Sequence, residues 1–251
     1  MNIHYMRGDI KRLVQNPWFY ISILGVTLGL FYGQEGKPLR DSVIAAYWIS
    51  ISLSGFMVLY VFCILPFGLV FCEDLEHYFF RYQIVRGSVV QYVVSKTILI
   101  YLSSVLTMAL GTGLFALLAS GRRPWFDGKV PTGDVFQEGA FGWLIEDGHV
   151  FLFILIYAIV LGFLAGTLSV LTAFISLFIS NKVMAVALPV CFLQCWIHFL
   201  RNSKYLSVYS FHLYTKIFPE DWQCVLLAFV ISIVPVCFLT LGIIWKIKKR
   251  L

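Results

Sequence analysis

Charge is scarce in this chain. Asp, Glu, Lys and Arg supply 13% of its 251 residues, where a soluble domain carries about 25% to keep its surface wet. Apolar residues supply 60%, and the mean hydropathy is +0.85. One core cannot hide that much apolar surface, so a soluble globular fold is excluded and lipid is the expected solvent. Chemical motifs are missing as well. There is no G-x-x-x-x-G-K-[ST] loop to cradle nucleotide phosphates, no G-x-S-x-G elbow and no H-E-x-x-H helix. The cysteines include no Cys-x-x-Cys pair, and the histidines (His4, His77, His149, His198, His212) are scattered. No catalytic residue, metal site or cofactor site is therefore expected in the chain itself, and an intramembrane enzyme ranks last among its readings.

What is present is a series of long apolar runs. Six are read as membrane spans: Asn16–Gly33, Ile44–Cys72, Val89–Ala119, His149–Ser180, Lys182–Leu200 and Gln223–Lys246. Each meets or exceeds the length a helix of ~1.5 Å rise per residue needs to cross ~30 Å of hydrocarbon. The expected fold is all-α, a polytopic membrane protein with six transmembrane helices in one domain over residues 1–251. Asn181 and Lys182 alone separate the fourth and fifth runs, which implies a tight hairpin.

Basic residues set the expected orientation. With both termini in the cytoplasm, the inside segments hold eleven basic and four acidic residues, and the outside segments eight and nine. This is the asymmetry of the positive-inside rule, and the Lys246-Ile-Lys248-Lys249-Arg250 cluster is a firm cytoplasmic stop. The net charge of +6 thus reports orientation in the cell membrane rather than affinity for nucleic acid.

Residues 1–15 lack the apolar core and cleavage site of a secretory leader. Instead Ile3, Met6, Ile10, Leu13 and Val14 recur at helical spacing, with Arg7, Asp9, Lys11 and Arg12 off that stripe. Such a helix lies in the membrane plane, as an anchor or as a docking element. Cys63, Cys72, Cys191, Cys195, Cys224 and Cys237 fall in or at the ends of spans, where cysteine packs as a small apolar residue.

Polar groups inside the runs are Ser, Thr, Tyr, Gln194 and His198, without carboxylates. Ion-coupled carriers place acids, Lys or His in their spans, so energy for any transport is expected from a separate subunit. Ser50 and Ser54 share a face of the second span, and Gln194 and His198 one of the fifth. These either bond a neighbouring helix or line a pathway.

The most informative stretch is Phe71–Lys96, where charges interrupt two apolar runs. Glu73, Asp74 and Glu76 form an acidic turn, followed by Phe79, Phe80, Arg81, Tyr82, Arg86, Gly87 and Ser88, then Tyr92 and Ser95-Lys96. Rigid aromatics with charges at the rim suit a partner surface; aromatics dipping into the headgroup layer are the plainer alternative. The order of acidic turn, aromatic helix and R-G-S…Y…S-K resembles the first cytoplasmic loop of ABC transporter permeases of the type-2 exporter family. Asn16-Pro17-Trp18 after an amphipathic helix resembles that family too, as does Ser180-Asn181-Lys182 followed by Ala185-Val186-Ala187-Leu188-Pro189. Gly87 stands where many relatives have Pro, and the outer loop 120–148 is long for the family.

The resemblance implies a permease subunit of an ATP-driven exporter. Two such chains, identical or sister, would enclose the pathway between their second and fifth spans. Cytoplasmic ABC ATPase subunits, carrying the ATP and Mg, would dock on the N-terminal helix and on the coupling segment 73–88. It also implies a re-entrant hairpin at 201–222, where an interfacial aromatic belt is the alternative. A non-transporting anchor, assembly or immunity subunit on the same fold is the second functional reading.

Overall fold

The structure is a computed structural model and describes residues 3–33, 42–52, 56–76, 88–126, 138–179, 181–199, 211–213 and 216–250. Its described elements of regular structure are all helices. They are α1 (Ile3–Gln15), α2 (Pro17–Tyr32), α3 (Val43–Ser52), α4 (Phe56–Ile64), α5 (Val70–Glu76), α6 (Val89–Ser120), α7 (Trp143–Glu146), α8 (Val150–Ser176), α9 (Lys182–Phe199) and α10 (Asp221–Arg250).

α6 and α8 form the central pair, with α2 and α4 on one flank and α10 on the other. Their most apolar stretches are 61% and 67% buried inside the chain, against 17% for α9 and 22% for α10. The last two therefore present most of their apolar surface outward, as lipid-facing helices do. Close approach at the centre comes from missing side chains. A Cβ on Gly162 of α8 would stand 3.0 Å from the Val105 Cα of α6, and one on Gly166 would enter the Tyr101 ring. This is the small-xxx-small arrangement by which helices meet in lipid.

Hydroxyls tie the same helices. Ser104 of α6 meets Ser169 of α8 at 2.7 Å and donates to Cys63 O at 2.9 Å. Tyr101 and Ser232 join α6 to α10 at 2.8 Å. Thr27 of α2 donates to Gly111 O of α6 at 2.9 Å.

Among the described residues, four helices are long and apolar enough to cross a membrane, and the bent pair α1–α2 makes up to five. The expected third, fourth, fifth and sixth spans correspond to α6, α8, α9 and α10. The expected first span is the 16-residue α2, which reaches a membrane's length only with part of α1 at a 56° bend. The expected second span, Ile44–Cys72, is helical in α3 and α4 and turns at 65–69 before α5, with residues 53–55 outside the described residues. Pro66 lacks a backbone N–H and Gly68 weakens a helix, so the turn follows from residues that hydropathy counts as neutral or apolar. Leu13 of α1 and Ile247 of α10 belong to one buried apolar cluster, with Phe71 of α5 and Tyr92 of α6. In the expected outer loop, α7 is the described helix, and residues 127–137 lie outside the described residues. Most of the 201–222 segment does so as well.

Candidate functional site

Beside the apolar cluster that holds Leu13, Phe71 and Tyr92, α1, α5 and the first turns of α6 enclose a charged network. Ser88 caps α6 by accepting from the Gln91 N–H at 3.2 Å, which starts the helix so that Tyr92 and Lys96 follow on one face, four residues apart. Both are buried, Lys96 completely. On the facing α5, Asp74 is 1% exposed. Its carboxylate accepts from Lys96 Nζ, from Tyr92 Oη at 2.7 Å and from Arg12 Nη1 at 2.9 Å. Arg12 reaches in from α1, and its Nη2 also donates to Glu73 at 2.9 Å. Asp9, one turn earlier on α1, lies 4.0 Å from Lys96 Nζ.

Three donors on one carboxylate meet the condition under which buried charge is tolerated. Burial alone pushes the Asp74 carboxyl up, but Lys96, then the hydrogen bonds from Lys96, Tyr92 and Arg12, outweigh it and hold the group below the usual range. Asp9 goes the other way. Its burial is the largest effect and raises its carboxyl, with Lys96 opposing, Asp74 adding and Arg12 opposing. For Arg12, burial lowers the guanidinium, and Asp74, Glu73 and Asp9 together raise it beyond its ordinary value. Five ionisable groups from three elements thus form one cluster, with three carboxyls against two cations and Asp9 the least compensated.

Lys96, at the start of the third run, is a buried ion-pair partner. Asp74, expected as a charged partner in docking, is buried, and its contacts join α5 to α1 and α6. Glu73, about half exposed, pairs with Arg12 at the surface. Glu76 ends α5. Phe79, Phe80, Arg81, Tyr82 and Arg86 lie outside the described residues.

The four polar residues of the second and fifth runs separate. Ser50 is buried and its hydroxyl lies 2.6 Å from Leu30 O and 2.8 Å from Ala46 O, so it ties α3 to α2. Ser54 lies outside the described residues. Gln194 and His198 are exposed on α9, with Gln194 Nε2 2.6 Å from the Met57 sulfur of α4. His212 pairs with Tyr157 Oη at 2.6 Å in the core, a contact that scattered histidines in a sequence do not announce. Among the described residues the six cysteines are free, and no group of His, Cys, Asp and Glu is placed to hold a metal.

The signal for the network was in the sequence at short range only: Asp9 and Arg12 three apart on α1, Glu73-Asp74 on α5, Tyr92 and Lys96 four apart on α6. Comparison of the chain with protein-family models, with curated proteins and with solved structures finds no match.

Proposed function

We propose that this chain is the membrane permease of an ATP-binding-cassette transporter, an exporter powered by separate ATPase subunits. The observation that carries the reading is the network around Asp74. A permease driven from outside the bilayer needs its in-plane helix and its coupling segment to move the spans as one body. Here Arg12 joins α1 to α5, and Lys96 with Tyr92 joins α5 to the central helix α6. A force applied to α1 or to the segment after Glu76 is passed to α6 through charges held in a dry site, where attraction is strong.

The charged end is the cytoplasmic one in this reading. It gathers Lys11, Arg12, Lys96, Lys246, Lys248 and Lys249, as anionic inner leaflets favour. Docking falls to the aromatics and arginines of 77–87 together with Glu73, while Asp74 and Lys96 form the joint behind them. The outward apolar faces of α9 and α10 take lipid or a second permease chain.

The test is copurification. The tagged chain, extracted in mild detergent from its native cells, is expected to bring down a Walker-containing ATPase identified by mass spectrometry, and Arg81→Glu/Arg86→Glu is expected to lose it. Wild-type chain that arrives alone or with a non-ATPase partner contradicts the reading and favours an anchor, assembly or immunity subunit.

A further inference from the structure

We infer that the elbow between α1 and α2 is a binding site for the headgroup of an anionic phospholipid carrying a single phosphodiester. The inference rests on the membrane-spanning fold and not on transport. α1 meets α2 at 56°, and a cleft of about 560 Å³ opens there, lined by Gly8, Lys11, Arg12, Gln15, Trp18 and Glu73. Gly8 leaves its side open, since a Cβ at that position would meet nothing within 4 Å.

The charges in the cleft do not cancel. Arg12 is occupied by Glu73 and Asp74. Lys11 is exposed and has no acidic partner among the described residues, so it supplies the excess positive charge. Beside it Gln15, also exposed, offers a carboxamide donor. One free cation and one neutral donor suit a monoanionic phosphate better than a multiply charged one, which Glu73 would repel.

The surroundings select a lipid over a soluble anion. Trp18 and Tyr20 are exposed at 54% and 52%, the amphipathic rings that sit at headgroup depth. From Trp18 an exposed apolar stripe of Ile21, Leu24 and Leu28 runs along α2 at helical spacing. A phosphate at Lys11 therefore places acyl chains along α2, with charge and apolar surface in the order an amphiphile presents them. Attraction of about 1 kcal/mol per lysine near an anionic surface corresponds to about fivefold in affinity.

The experiment uses the full chain in uncharged detergent, with unfolding midpoints and native mass spectrometry as readouts. The probes are dioctanoyl phosphatidylglycerol, dioctanoyl phosphatidylcholine and inorganic phosphate. Phosphatidylglycerol is expected to raise the midpoint and to remain bound, while the other two do neither at equal concentration. Lys11→Glu, and the milder Lys11→Gln, are expected to weaken phosphatidylglycerol binding at least about fivefold. Lys248→Glu, on a basic residue of α10, is expected to keep it. An equal shift with phosphatidylcholine assigns the effect to tails, and one with inorganic phosphate assigns it to a soluble anion. Either of these, or full phosphatidylglycerol binding by Lys11→Gln, overturns the inference.

Discussion

Lys96 of α6 and Asp74 of α5, 22 residues apart in sequence, form an ion pair in which both side chains are almost wholly withdrawn from solvent. Such a pair adds little net stability, because removing two charges from water offsets their attraction. Breaking it is another matter, since the survivor stays buried without its partner. Lys96→Met and Asp74→Asn are each expected to cost about 3–5 kcal/mol. The double variant is expected to cost less than the two together. Thermal or denaturant unfolding in detergent measures all three.

Glu73 provides the contrast. Its pair with Arg12 is about half exposed on both sides, where water screens the attraction. Glu73→Gln is expected to change stability by less than about 1 kcal/mol. A loss as large as that of Asp74→Asn, in the same unfolding assay, contradicts the division between joint and surface.

Opposite shifts at Asp9 and Asp74 give the network a pH dependence of known sign. Burial raises the Asp9 carboxyl, so α1 docked on the bundle holds that proton more tightly than α1 undocked. Its stabilising contribution is complete below the ordinary carboxylate range and fades as pH rises through the raised value. Asp74 is held low, so its contribution is present above the ordinary range and is lost as pH falls through the lowered value. Unfolding midpoints are expected to decline as pH rises past the Asp9 titration in the wild type and to stay level there in Asp9→Asn. A decline of equal size in both proteins removes Asp9 from the explanation.

The contact at the centre of the bundle is testable by volume. Gly162→Leu drives a side chain into the Val105 backbone and is expected to cost about 1–3 kcal/mol. At Gly113 a Cβ meets nothing within 4 Å, so Gly113→Ala in the same helix pair is expected to be neutral or slightly stabilising. Equal losses at both positions contradict close packing of α6 on α8.

How far the sequence could be read depended on whether the deciding interaction was local. α6 was expected over Val89–Ala119 and runs Val89–Ser120, because an unbroken apolar run and the Ser88 cap act within a few residues. In the second run the same reasoning misses the turn at 65–69. Hydropathy sums side chains and is blind to the backbone donor that Pro66 lacks. The network was legible in pieces only: each element shows its own charges, but nothing in the chain order says that Lys96 faces Asp74 rather than water. Gly162 and Gly166, spaced four apart in an apolar run, carry a packing signal that neither hydropathy nor charge registers.

The most direct measurement is ATP hydrolysis by the complex purified on the tagged chain, in wild type and in Arg12→Ala, which cuts α1 from α5 while leaving the Lys96–Asp74 pair. The account expects an ATPase to copurify with both in equal amount and its turnover to fall several-fold in Arg12→Ala, because docking survives and transmission does not. Unchanged turnover in Arg12→Ala, or the absence of any ATPase with the wild type, contradicts it.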